Sequence, residues 1–421
     1  MLDRDDIARR YGAVRARTEA LAAPLSAEDA LVQSMPDASP TKWHLAHTTW
    51  FFEEFVLARF EPSHRWRDER WRMLFNSYYE SVGPRHPRPE RGLLSRPALD
   101  EVRGWRGTVD ERVLALIAGA ASRARPEILE AVLLGTHHEE QHQELLLTDA
   151  LHALSRNPLG PRYLPPDPPS PAPAFAPALA WRAFDESLAE IGHAGSSFAF
   201  DHETPRHRVF VGAFELASRL VTHREYAAFV EDGGYARPEL WLADGWAAAR
   251  AGGWSAPLYW TGHAGRWFAF GLHGHESLDL DAPVAHLSFY EADAYARWAG
   301  TRLPTEFEWE LAARTADLEG NFLESGRLRT APASAGPGLV QLFGDAWEWT
   351  SSPYLPYPRF QPHAGALGEY NGKFMSGQMV LRGGSCLSPA GHLRRTYRNF
   401  FPPHARWQMA GLRLARDPDG A

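Results

Sequence analysis

The residues best suited to chemistry lie in the run His137-His138-Glu139-Glu140-Gln141-His142. On a helix, His138 and His142 fall one turn apart on the same face, so both imidazoles can reach one metal ion. Gln141 sits beside His142 on that surface. The same five residues from His138 to His142 also spell HExxH, the zinc-peptidase helix in which the Glu activates water. No third ligand follows at a peptidase-like spacing. A zinc hydrolase is therefore kept as the alternative of a different class. A second source of imidazoles is KWHLAHTTWFFEEF, with His44 and His47. Three imidazoles from two helices would leave part of a coordination sphere open. Such a set suits Fe(II), Zn or Cu and suits Mg or Ca poorly. Imidazoles must be neutral to bind, so metal affinity is expected to fall below about pH 6.

These motifs need rigid elements. Residues 7–25, 43–60, 99–121 and 128–154 carry apolar side chains at helical spacing, which predicts four main helices in an antiparallel bundle. Ser39-Pro40 is the start signal for the second helix. Residues 157–181 are too rich in proline to continue a helix and read as a semi-rigid linker. From residue 182 the texture changes to short β-type runs (HRVFVGAFEL, LYW, RWFAF, MVLRGGS) among Gly, Pro and Trp. Two helical segments, 222–232 and 290–300, interrupt them. The expectation is multidomain: an all-α bundle with the metal site over 1–156, the linker, and an α+β domain of long ordered loops over 182–421.

Composition excludes several classes. A chain of 421 residues is too long for one ordinary domain. The net charge of −8 argues against a general nucleic-acid binder. The single cysteine, Cys386, rules out a disulfide framework and a Cys-based zinc or iron–sulfur site within one chain. No apolar run reaches the ~18 residues of a spanning helix, and the first residues are charged with no apolar signal core. The expectation is a soluble cytoplasmic protein with no membrane partner. The 19 His make a metal site worth seeking, and the 16 Trp suit a fold rich in irregular packing.

Taken together the motifs resemble the ergothioneine-biosynthesis sulfoxide synthases. The resemblance runs through SPTKWHLAHTTWFFE (39–53), FNSYYESVGPRHPRPERGLLSRP (75–97), HHEEQHQELLLTD (137–149), HETPRHRVFV (202–211), VTHREYAAFVEDGGY (221–235), RLPTEFEWELAAR (302–314), FGDAWEWTSSPY (343–354), LRGGSC (381–386) and YRNFFPPHARWQMAGLRLARD (397–417). It implies a DinB-like four-helix bundle followed by an α+β domain of the formylglycine-generating-enzyme type, a C-type-lectin-like fold. It also implies Fe(II) as cofactor and O2 as co-substrate, with hercynine and a thiol as substrates. A sulfur–carbon bond then forms at C2 of the hercynine imidazole.

The resemblance maps the iron ligands onto His47, His138 and His142. His44 is left as a helix-surface residue or an outer neighbour of the site, and His137 as a non-ligand. Gln141 would fix the substrate imidazole. Asn399 and Phe400 would line the pocket for the carboxylate and quaternary ammonium of hercynine, a cation that needs aromatic faces or oxygen dipoles. Tyr78 and Tyr79 would supply a proton or electron, with Tyr370 as the alternative from the second domain. Arg85 and Arg88 would grip a carboxylate of the sulfur donor. Formylglycine-generating enzymes work with cysteines; here Cys386 alone reads as a small buried hydrophobe, and the domain would supply a substrate-facing wall. Branches that take γ-glutamylcysteine carry an acid where this chain has Phe401. That departure leaves cysteine, or a selenosugar as in selenoneine synthase, open as the donor.

Overall fold

The four apolar-periodic stretches form the long helices of the first half. They are α1 (Arg4–Ala22), α2 (Thr41–Phe52), α5 (Leu99–Gly119) and α6 (Pro126–Ser155), with two short helices, α3 (Ala58–Phe60) and α4 (Glu69–Leu74), between the second and third. This computed structural model describes residues 3–119, 126–165, 175–263, 266–336 and 338–418. The end of the third predicted helix (120–121) and the middle of the predicted linker (166–174) lie outside them. The chain divides into two compact units, Met1–Leu164 and Pro165–Ala421. Among the described residues no helix is long and apolar enough to cross a membrane.

In the first unit α6 packs on α1 and α2, and α5 packs on α2 and α1. Asp3 caps α1 by accepting from the Asp6 N–H. α2 begins directly after Ser39-Pro40; Pro40 occupies the cap position and no side chain caps the helix. The Ser39 hydroxyl instead accepts from Arg91 Nη1 at 2.9 Å. Beyond Phe52 the helix widens into a π-helical turn, Glu53–Leu57. Gly135, in mid-α6, marks a close approach: a Cβ there would collide with the Phe52 ring of α2. A mid-helix glycine costs about 1 kcal/mol against alanine, and here it lets α2 and α6 touch.

The second unit is built from short strands. β1 (Trp181–Phe184), β4 (Phe214–Ala217) and β12 (Ala415–Arg416) form one sheet, and β2 (Ser187–Ile191) pairs with β3 (His207–Val211). β5 (Trp260–His263), β6 (Arg266–Gly271) and β7 (Gly274–Ser277) form a meander. The fourth sheet has the order β10 (Asn399–Phe401), β9 (Met379–Arg382), β8 (Trp347–Pro353), β11 (Ala410–Gly411), with only the β11–β8 pairing parallel. Ile191, Phe214, Leu216, Ala312 and Ala415 meet in a core between strands and helix.

Among the described residues four α-helices, not two, interrupt these strands: α7 (His223–Glu231), α8 (Ala243–Gly252), α9 (Phe289–Trp298) and α10 (Glu306–Ala313). α8 is small-residue-rich, with little apolar periodicity to reveal it; its Gly245 lies so close to Tyr290 that a Cβ would meet the ring at 2.6 Å. α7, α9 and α10 each begin with a capping box, Thr222/Glu225, Ser288/Glu291 and Thr305/Glu308. In each box the Glu also takes an arginine: Arg219, Arg406 and Arg302.

Candidate metal centre

α2 contributes His47 and α6 contributes His138 and His142. Their ligand atoms all lie within 4.8 Å of one another, and all three residues are buried. His47 Nε2 is 3.3 Å from His138 Nε2. Two nitrogens each about 2.1 Å from one ion, at right angles, stand about 3 Å apart, so this spacing suits neighbouring ligands of a single metal. The His47 Nδ1–H donates to the Phe75 carbonyl at 2.7 Å, which leaves Nε2 with the lone pair. Trp43 and Trp50 stack on the His47 ring with centroids at 4.6 and 5.5 Å, and Phe51 stacks on His138 at 4.3 Å. These contacts fix ring planes as well as positions.

The electrostatics agree with a metal set. Burial pushes the pKa values of His47 and His142 well below the usual imidazole range, and the mutual repulsion of neighbouring imidazoles adds to it. Burial brings His138 down to about 3. All three are therefore neutral at pH 7, the state a divalent metal requires, and their depression moves the fall in metal affinity below the pH 6 expected of ordinary imidazoles. The residues fit a nitrogen-ligated transition metal.

The Glu of the HExxH pattern has a different task. Glu139 is fully buried, accepts from Arg15 Nη1 at 2.8 Å and Thr18 Oγ1 at 2.6 Å, and pairs with Arg106. Burial raises its pKa, but Arg106 and Arg15 outweigh that and hold it at about 2. Arg15 is also tied to Asp110 at 2.6 Å. Glu139 thus anchors α6 to α1 and α5. A carboxylate so paired cannot serve as a water-activating base, which removes the catalytic group that a zinc hydrolase needs. Gln143 adds to the anchor by donating to Val14 O and Thr18 Oγ1, each at 3.0 Å.

The other expected site residues fall in three places. Gln141 is half-buried on α6, and His137 lies against Glu140 at 3.3 Å, away from the three-His set. Of the two places expected for His44, the structure has it beside the site and not on the helix surface: it is buried, with Nδ1 2.9 Å from His142 Nδ1 and Nε2 3.1 Å from Asp149 Oδ2. In the loop after α4, Asn76 holds the chain by donating to Tyr79 O and Gly83 O. That separates the two tyrosines: Tyr79 is buried among Trp50, Phe51 and Phe55, and Tyr78 is half-buried with Arg88 Nη1 3.3 Å from its hydroxyl. Arg85 donates to Ser77 O and pairs with Glu80 at 3.0 Å.

In the second unit Asn399 and Phe400 open β10. Phe400 stacks on Tyr354 at 4.1 Å and on Phe374 at 5.7 Å, and Tyr370 lies 6.4 Å from Phe374. Cys386 is buried.

Two residues near the three-His set escaped the sequence reading. Arg91 is buried with its guanidinium 3.4 Å from the centre of the Trp43 ring, the ring that stacks on His47. Burial lowers its pKa to about 9. Nothing in its sequence neighbourhood signals this. Asp149 could have been found, because it lies seven residues after His142 and so two turns along one helical face.

Comparison with known proteins extends across both units. Residues 10–146 match the DinB superfamily, and residues 185–418 match the sulfatase-modifying factor enzyme 1-like domain. The hercynine oxygenase of Mycolicibacterium thermoresistibile is 35% identical over 91% of this chain and 89% of its own length. That of Mycolicibacterium smegmatis is 32% identical over 99% of this chain and all of its own. The formylglycine-generating enzyme of Streptomyces coelicolor is 31% identical over 60% of this chain and 96% of its own. Likeness that runs through both units, in one order and at these identities, places the chain: it belongs to the family of hercynine oxygenases, the sulfoxide synthases of ergothioneine biosynthesis, and is an oxidoreductase.

Proposed function

We propose that this enzyme uses Fe(II) and O2 to join sulfur from a thiol to C2 of the hercynine imidazole, giving a sulfoxide conjugate. The carrying observation is the set of three neutral imidazoles from α2 and α6 meeting at one point, in a chain alike end to end to proteins named hercynine oxygenase. His47, His138 and His142 hold the iron. Bound iron supplies the O2 redox chemistry that side chains alone lack.

The protein's own groups bind and orient the substrates. Gln141 hydrogen-bonds the hercynine imidazole, and Asn399 holds its amino-acid end. Phe400 offers an aromatic face to the trimethylammonium, which has no N–H to donate. Arg85 and Arg88 take a carboxylate of the donor. Tyr78 or Tyr79 supplies a proton or an electron, with Tyr370 as the alternative. The reaction belongs in the cytoplasm, with small-molecule substrates and no nucleic-acid or membrane partner.

A second reading rests on Phe401, whose ring packs edge-on against Trp407 with centroids 5.7 Å apart. An apolar contact there offers no partner to a donor amine. This favours cysteine over γ-glutamylcysteine, or a selenosugar with selenoneine synthesis as the activity.

The test is a competition. Iron-loaded enzyme, O2 and hercynine are given γ-glutamylcysteine, cysteine and a selenosugar together, and products are resolved by mass. A sulfoxide supports the first reading and identifies the donor; a carbon–selenium product without sulfur incorporation selects the second. Absence of any product with iron bound overturns both.

A further inference from the structure

We infer that His44 and Asp149 are positioning residues that hold His142 in the tautomer and ring orientation needed to bind metal. The inference rests on the three-histidine reading of the site. Its basis is a chain of three buried groups. Asp149 Oδ2 lies 3.1 Å from His44 Nε2, and His44 Nδ1 lies 2.9 Å from His142 Nδ1. All three residues are at most 7% exposed. The far end is fixed by backbone, since the Ser39 N–H donates to Asp149 Oδ2 at 2.8 Å.

Hydrogen-bond arithmetic gives the chain one direction. A carboxylate only accepts, so the nitrogen facing it, His44 Nε2, carries the hydrogen. In a neutral imidazole the other nitrogen is then an acceptor, so His44 Nδ1 receives from His142 Nδ1–H. That leaves the lone pair of His142 on Nε2. The reverse order would set two lone-pair atoms against each other at Asp149 and would protonate Nε2 of His142, which could not then ligate. The relay thus selects the single tautomer that binds through Nε2. It also excludes His44 as a fourth ligand, because both its ring nitrogens are engaged.

His47 reaches the same end by a different route, donating Nδ1–H to the Phe75 carbonyl. Orienting partners of this kind set ligand geometry and basicity, and their loss costs about 10–100-fold in metal affinity.

The test uses full-length protein stripped by a chelator and titrated with Co(II) without O2, read by visible absorption. His44→Phe keeps a flat ring without hydrogen bonds and is expected to weaken binding about 10–100-fold. Asp149→Leu is expected to act in the same direction. His44→Gln recovers most of the affinity, since its amide can accept from His142 and donate to Asp149. A purely structural role for His44 predicts no such difference between Phe and Gln at equal thermal stability of the apo-protein.

Nitrogen-15 spectra of the zinc-loaded wild type need no variant, and protonated Nδ1 with metal-bound Nε2 is expected for His142. Unchanged affinity in His44→Phe overturns the inference, as does metal bound through Nδ1 of His142. Loss in His44→Gln as complete as in His142→Ala also overturns it, by making His44 a ligand. Unchanged binding in His142→Ala removes instead the three-histidine reading beneath it.

Discussion

Two faces of α6 show how one helix can carry both a reactive surface and its mount. His138 and His142 turn toward His47 and are kept neutral by burial. Glu139 and Gln143, each one residue further along, turn toward α1 and are tied to Arg15, Arg106, Thr18 and Val14. The first face brings its imidazole nitrogens, with those of His47, within 4.8 Å of one another. The second has its charge satisfied inside the protein. Adjacency in sequence thus hides a division of labour: the ionic knot sets the depth and rotation of α6, and the imidazoles inherit that position. The second unit uses the same kind of knot in Arg398–Glu306, Arg413–Glu348 and Arg394–Glu203. There the arginines come from loops, and their carboxylates lie at the start of α10 (Glu306), on β8 (Glu348) and in the short turn at Glu203.

The largest effect should come from breaking the first face. His47→Ala, His138→Ala and His142→Ala should each abolish turnover and lower metal affinity by more than the ~100-fold that an outer partner costs. The thermal transition of the second unit should not move. Breaking the second face should instead cost stability. Glu139→Gln removes the carboxylate that two buried guanidiniums share, leaving Asp110 to Arg15 and Glu19 to Arg106, and should destabilise the first unit by up to about 3–5 kcal/mol, read by urea unfolding. Equal loss of stability in His138→Ala would erase the distinction between the faces.

A smaller effect is expected where α6 touches α2. Gly135→Ala pushes a methyl into Phe52 and should cost about 1–3 kcal/mol. It should also weaken metal binding, because it separates the helix of His47 from that of His138. Stability loss without a change in metal affinity would mean that the two helices do not set the ligand spacing.

The pH response compares the knots. In the second unit burial, with Arg398, Arg394 and Arg382 nearby and Glu203 opposing, lowers His202 from 6.5 to about 3. Its Nδ1 faces the Tyr354 hydroxyl at 2.6 Å. Burial raises the pKa of Glu203, but Arg394 outweighs it and brings the group from 4.5 to about 2. Both folded values lie below the unfolded ones, so unfolding takes up protons. The His202 contribution is complete above pH 6.5 and is lost as pH falls toward 3. Glu203 adds to the loss between 4.5 and 2. His202→Gln should flatten the urea midpoint between pH 6.5 and 4.5 relative to wild type. An unchanged slope would exclude His202 as the sensor. The smallest effect belongs to exposed pairs: Arg237→Ala, which loses Asp232 and Glu239, should not measurably shift unfolding.

Much of the first unit was legible because helices announce themselves locally. The apolar spacing of residues 128–154 and the four-residue step from His138 to His142 both survive into α6. The role of Glu139 was not legible, because its partners Arg15 and Arg106 come from other helices. The same letters therefore spelled HExxH with a catalytic carboxylate. The sequence leaves His44 open between the helix surface and an outer neighbour of the site, because its partner Asp149 lies on α6, far along the chain. In the second unit α10 was missed although Thr305 and Glu308 spell a capping box. Its apolar residues pack on strands from both directions, which blurs helical periodicity. α8 offered almost no large apolar residues to count.

The most direct test of the central claim is X-ray absorption of the iron-loaded enzyme without O2, in wild type and His47→Ala. Three imidazoles bound to iron in the wild type, with binding lost or reduced to two imidazoles in the variant, is the predicted result. Iron held equally well in His47→Ala with an unchanged spectrum would contradict a centre built jointly by α2 and α6.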